Sequence, residues 1–223
     1  VVWTGMPGTE YGPALVDVLF GDYNPGGKLV FTLAKNDADY GTDISPTMNS
    51  TYSEGIFLDY RHFDKNAITP RFSFGYGLSY TTFSFSQLDI TKITNRKSVA
   101  SSQYVQKRQR TYSKFGSLKL YEPVYEVTFT LANTGKVFGS EVPQLYVGFP
   151  VAAQEPPKIL RGFERVYLNA GESKQVTLVL TQKDISYWNV FNQTWSVAPG
   201  DYSVWVSTSA NNADVKLQSS FHI

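Results

Sequence analysis

The amino-acid sequence predicts an α/β segment belonging to a parallel sheet, followed by an all-β sandwich. Two observations carry that division. In residues 1–33 an apolar run, a stretch with helical apolar spacing and a second apolar run follow one another, the strand–helix–strand pattern of a parallel sheet. From Glu122 onward the apolar period falls to two, in short runs separated by turn residues, as in the half-buried strands of a sandwich. The expected boundary follows Ser79, giving parts 1–79 and 80–223, with a basic insertion at 91–121 inside the second part.

Taken in order, Val1-Val2-Trp3 reads as the end of a buried strand and Gly5-Met6-Pro7-Gly8 as a turn. Thr9 is expected to cap a helix, with Glu10 in the first turn facing the positive end of the dipole. Ala14, Leu15, Val18 and Leu19 supply an apolar stripe, and Gly21 suits the left-handed residue after the helix. Asn24-Pro25-Gly26-Gly27 then turns the chain into a strand over Lys28–Leu33. Parallel sheets need several strands covered on both faces. Only two are legible here, so the chain is expected to be one piece of a longer protein whose upstream sequence supplies the others.

In the second half, Tyr125, Val127, Phe129 and Leu131 alternate with polar residues, as do Leu145, Val147 and Phe149, then Val176, Leu178 and Leu180, then Tyr202, Val204 and Val206. Turns are expected at Asn133-Thr134-Gly135, Asn169-Ala170-Gly171 and Pro199-Gly200-Asp201. Thr81–Ile90 reads as the first strand, and a short helical turn is expected near Asp184–Trp188. Trp205 is out of phase with Val204 and Val206, so it is predicted to face away from the core, toward a neighbouring domain or solvent.

Composition narrows the function classes. Hydrophobic residues at 42% and aromatics at 15% support a packed core rather than disorder. A net charge of +1 gives no global electrostatic reason for a nucleic-acid or membrane-surface partner. With no cysteine, thiol catalysis, disulfides and thiolate metal sites are excluded. No run approaches the ~20 apolar residues of a membrane-spanning helix. Gly5-x-x-Gly8 lacks the rest of any phosphate-binding pattern, and Glu10 would repel an anion, so it reads as a turn and no cofactor is expected. His62 and His222 show no metal-ligand spacing. Asn49 and Asn192 each head an Asn-x-Ser/Thr sequon, which makes them glycan acceptors in a secreted eukaryotic protein.

From Thr91 to Tyr121 there is no acidic residue, while Lys92, Arg96, Lys97, Lys107, Arg108, Arg110, Lys114 and Lys119 all fall in the window. It reads as a solvated loop or insertion. The dibasic pair Lys107-Arg108 is a candidate site for proteolytic nicking.

Three blocks carry a family resemblance. They are Trp3–Gly12 with Ala14–Leu29, then Glu54–Asp64, then Pro70–Phe83. In order and spacing they resemble glycoside hydrolase family 3, in wording nearest its fungal β-glucosidases. Leu160-Arg161-Gly162-Phe163, Gly171-Glu172-Ser173 and Pro199-Gly200-Asp201-Tyr202 resemble the fibronectin type III-like domain that ends many of its members. The resemblance implies a secreted multidomain enzyme with a barrel, an α/β sandwich and this β-sandwich. Its substrate would be a β-glucoside or cello-oligosaccharide, and its partner the N-terminal remainder of the same enzyme. It further implies an Asp nucleophile in the barrel and a Glu acid/base upstream of Trp3. Neither motif has a counterpart here, so no catalytic residue is expected in this chain.

The chemistry agrees with that absence. A retaining glycosidase sets two carboxyl groups about 5–5.5 Å apart, one of them with a raised pKa. Glu54, Asp59 and Asp64 are the carboxylates of the most motif-like stretch. They are expected to make structural ion pairs or hydrogen bonds, Asp59 with Arg61 for example. Trp188, Trp195 and Trp205 leave a second reading open, a polysaccharide-binding or adhesion module, which would need an exposed aromatic row on one face.

Overall fold

Alternation decides how the second half folds. The computed structural model describes residues 2–45, 48–94 and 118–223. Among these, α1 spans Tyr11–Phe20 and α2 Tyr60–Lys65. The strands are β1 (Phe83–Lys92), β2 (Pro123–Asn133), β3 (Gly139–Glu141), β4 (Gln144–Gly148), β5 (Ile159–Phe163) and β6 (Val166–Leu168). They continue with β7 (Ser173–Thr181), β8 (Tyr187–Asn189), β9 (Thr194–Ser196), β10 (Asp201–Ser207) and β11 (Val215–His222). One sheet runs β1-β2-β7 and its partner β11-β10-β4-β5, with every pairing antiparallel. Short ladders β3-β6 and β8-β9 flank them.

Every second residue of β2 is buried; Tyr125, Val127 and Phe129 pair with Leu180, Leu178 and Val176 of β7 across the ladder, and with Leu131 they share one core with Leu145, Val147, Val204 and Val206 of the other sheet. Each such side chain contributes roughly 1.5–3 kcal/mol by leaving water. Tyr202 is fully buried, and its hydroxyl donates to the carbonyls of Ala198 (3.0 Å) and Ile185 (3.2 Å), so its polar end is satisfied inside the core. The short helical turn expected near Asp184 is present over Gln182–Ile185, closed by Asp184 accepting from the Thr181 backbone N–H and hydroxyl.

β4 departs from alternation, since all five of its residues are buried. Leu145 and Val147 point into the sandwich, while Gln144 and Tyr146 point outward, where residues 60–75 cover them. The first part of the chain is thus laid over the outer face of the four-stranded sheet.

Among the described residues, that first part departs from three local expectations. Lys28–Leu33 does not join a parallel sheet among the described residues. It runs beside residues 71–76, with Leu29 N–H donating to Tyr76 O and Leu33 N–H to Phe72 O, both at 2.8 Å, and an antiparallel bridge at Leu33–Phe72. A run without parallel neighbours in reach pairs with the extended segment that is. Residues 2–5 likewise form no ladder. Thr9 does not cap α1. Glu10 holds that position without a side-chain bond, because the backbone enters through the turn in which Tyr11 N–H bonds Gly8 O. The helix exit is as expected: Gly21, at φ 93°, returns its N–H to Asp17 O. No residue of α1 is buried, and Leu15 and Val18 reach only half-burial, so its apolar stripe lies uncovered by the described residues.

Candidate functional site at the seam of the two parts

α2 begins at Asp59, whose backbone is held at φ 51°, an unfavourable conformation for a residue with a side chain. Its carboxylate over-determines it. One oxygen accepts from the Thr32 N–H at 3.0 Å, and the other from the Thr32 hydroxyl and the Tyr60 N–H. Asp59 therefore pins the segment after Leu29 to the start of α2. It does this in place of the expected pair with Arg61, whose Nε donates to Leu58 O instead. Further along, His62 Nε2 lies 3.1 Å from the Asp39 carbonyl, which can only accept. Nε2 therefore carries the proton, and Nδ1 accepts from the Asn66 amide at 3.2 Å. Both ring nitrogens are occupied structurally.

α2 then presents Tyr60 and Asp64 to the sandwich. The Tyr60 ring packs edge-on to Tyr146 at 5.9 Å and against Phe74 at 5.0 Å, and its hydroxyl accepts from the Leu160 N–H at 2.9 Å. Trp205 completes this cluster from β10, so of the two alternatives left by the sequence it makes the contact between the parts. Asp64 Oδ1 meets Lys158 Nζ at 3.1 Å, and Lys158 also donates to Asn212 Oδ1 at 2.6 Å. The other Asp64 oxygen is buried and has no hydrogen-bond partner among the described residues. Burial raises the Asp64 carboxyl above the usual range, and Lys158 only partly offsets it. Beside the pair lies a cleft of about 510 Å³ bordered by Thr32, Phe63, Trp205 and Asn211.

Two glycines fix how closely the parts approach. Gln144 Nε2 donates to Gly75 O (3.1 Å) and Thr208 O (2.8 Å), while its Oε1 accepts from the Tyr146 hydroxyl (2.6 Å). Gly75 sits at φ 79°, and a Cβ there would stand 2.2 Å from Gln144 Oε1. At Gly26 an added Cβ would lie 2.0 Å from Ser140 Oγ, because the Asn24–Lys28 turn is clamped on β3. Asn24 Nδ2 donates to Phe138 O at 2.9 Å, and Lys28 pairs with Glu141 at 2.6 Å.

The remaining candidates are dispersed. Glu54 is half-buried in the turn before α2. His222 is exposed and 2.7 Å from Asp201. Trp188 (43% exposed) and Trp195 (39%) meet edge to face at 5.5 Å on the β8–β9 hairpin, apart from Trp205. Asn49 and Asn192 are exposed. Lys107 and Arg108 lie outside the described residues. The sequence reading missed the sandwich side of the seam. Lys158 and Asn212 carry no legible signal, whereas Gln144, a polar residue opening an apolar strand, is a position that could have been questioned.

Residues 1–80 match the glycosyl hydrolase family 3 C-terminal domain, and residues 141–210 the fibronectin type III-like domain. The chain is similar to probable beta-glucosidase D of Aspergillus niger, at 45% identity over 223 residues, covering 100% of this chain and 28% of that protein. It is likewise similar to probable beta-glucosidase L of Emericella nidulans, at 46% identity over 100% of this chain and 29% of that one. Among solved structures, the beta-D-glucoside glucohydrolase of Trichoderma reesei aligns with TM-score 0.85 and 40% identity over 99% of this chain and 30% of that one. The chain therefore spans less than a third of the length of these relatives.

Proposed function

Because the chain belongs to glycoside hydrolase family 3, as the end of the α/β domain and the fibronectin type III-like domain, we propose that it is the non-catalytic C-terminal part of a secreted β-glucosidase. The parent removes terminal non-reducing β-D-glucosyl residues from β-glucosides and cello-oligosaccharides by a retaining two-carboxylate mechanism, and both carboxylates lie outside this chain. The part described here clamps the enzyme. The observation that carries this reading is the seam: within its most motif-like segment, Asp59, His62 and one oxygen of Asp64 are committed to Thr32, the Asp39 carbonyl and Lys158. Groups so committed hold a backbone in place rather than transfer a proton to a substrate. In the full-length enzyme, deleting residues 122–223 should lower the melting temperature without changing preference among aryl β-glucosides. A changed preference at unchanged stability would point to a substrate-facing role instead.

A second reading, a polysaccharide-binding surface, is favoured by one observation, the exposed Trp188–Trp195 pair. The full-length enzyme with both tryptophans replaced by Ala should then lose retention on insoluble glucan. Equal retention removes this reading.

A further inference from the structure

We propose that Asn192 is an N-glycan acceptor and that its glycan covers the apolar tip of the β8–β9 hairpin. The proposal rests on the secretory reading above. The ladder pairs Trp188 with Trp195 and Asn189 with Thr194, leaving Val190–Gln193 as the tip. The turn is fixed by other side chains: the Asn192 N–H donates to Asn189 Oδ1 at 3.0 Å, and Gln193 Nε2 donates to Val190 O at 2.6 Å. Gln193, at φ 49°, closes it. Among the described residues, the Asn192 amide and the Thr194 hydroxyl, the two groups that define the sequon, make no hydrogen bond, and both residues are exposed. An acceptor bound into the turn would have to break it to react; this one does not.

The second observation is what surrounds the acceptor. Phe191 is 99% exposed and Val190 67% exposed. The two are adjacent in the chain and form an exposed apolar pair at the hairpin tip, beside the acceptor. Phe191 directly precedes Asn192, and a pyranose offers an apolar C–H face that lies well against an aromatic ring. In the transfer, the Asn192 amide nitrogen bonds to the anomeric carbon of an oligosaccharide carried on a lipid pyrophosphate. The bond from that carbon to the pyrophosphate oxygen breaks, the lipid pyrophosphate leaves with the electron pair, and the amide gives up one proton.

The test uses the full-length enzyme, produced through a yeast secretory pathway once with its own leader and once with a host leader. Peptide N-glycosidase turns a glycosylated Asn into Asp, which mass spectrometry reads. Asn192 should be converted, and should stay bare in the Thr194→Ala variant. Secreted enzyme with bare Asn192 overturns the proposal, since the tip is then covered by protein or left open. Conversion seen only with the host leader supports the site and contradicts the secretory reading. For the covering role, removing the glycan should raise the fluorescence of an apolar dye, and the rise should vanish in the Val190→Ser/Phe191→Ser variant. Unchanged dye binding on deglycosylation overturns that part.

Discussion

At the scale of single residues, the seam depends on groups with no conformational or electrostatic slack. Gly75 combines a positive φ with a Gln144 oxygen in the place of its missing Cβ. Gly75→Ala should therefore cost about 2 kcal/mol in denaturant unfolding of the full-length enzyme, from the backbone alone and before any shift of Gln144. An unchanged midpoint would mean that the two parts are not held at this distance. Lys158→Met leaves Asp64 buried without its cation, and should cost about 3 kcal/mol. The same carboxyl predicts a pH dependence. Its folded pKa is raised by burial, so the acid form is the one the fold prefers. The stability it contributes is fully present below the ordinary carboxylate pKa and is lost as pH rises through the raised folded value. Lys158→Met removes the group that holds the shift down, so the loss should extend to higher pH, and Asp64→Asn should abolish this component. Stability–pH curves of the three proteins compare these directly, and superimposable curves would contradict the account.

At the scale of elements, strands whose one face is core were legible and elements made by contact were not. β2, β7 and β10 follow from alternation, because one face of each meets only the sandwich interior. β4 is buried on both faces, so its alternation could not announce that Tyr146 and Gln144 serve a second interface. α2 has six residues, too few for a helical period, and exists because Asp59 caps it and Tyr60 and Phe63 are buried. Lys28–Leu33 has the composition of a strand in either direction, and composition does not choose the neighbour. Trp205 was placed correctly by phase alone, facing away from the core. Trp205→Ala should remove seam packing worth about 3 kcal/mol while leaving the sandwich interior intact. Hydrogen exchange should then quicken in residues 54–79 and hold steady in β2 and β7. Equal quickening in both would mean that seam and sandwich unfold as one unit.

At the scale of the whole molecule, polarity of function follows polarity of burial. The sandwich has its own continuous core, and the seam fastens the Glu54–Ser79 segment to it, whereas α1 leaves Phe20 81% exposed. A chain that spans under a third of its relatives' length, with one helix face uncovered by the described residues, fits a portion of a larger protein. The three family-like blocks made the α/β part recognisable, although they serve packing: Gly26 and Gly75 allow close approach and Asp59 caps a helix. These packing roles fit the proposal that the acid chemistry of the parent lies outside this chain. The most direct measurement is hydrolysis of a chromogenic β-glucoside by purified residues 1–223 beside the full-length enzyme. The account predicts turnover by the full-length enzyme and none by the purified chain. Turnover by the purified chain that disappears with Asp59→Asn or Asp64→Asn would place the catalytic carboxylates in the seam and contradict it.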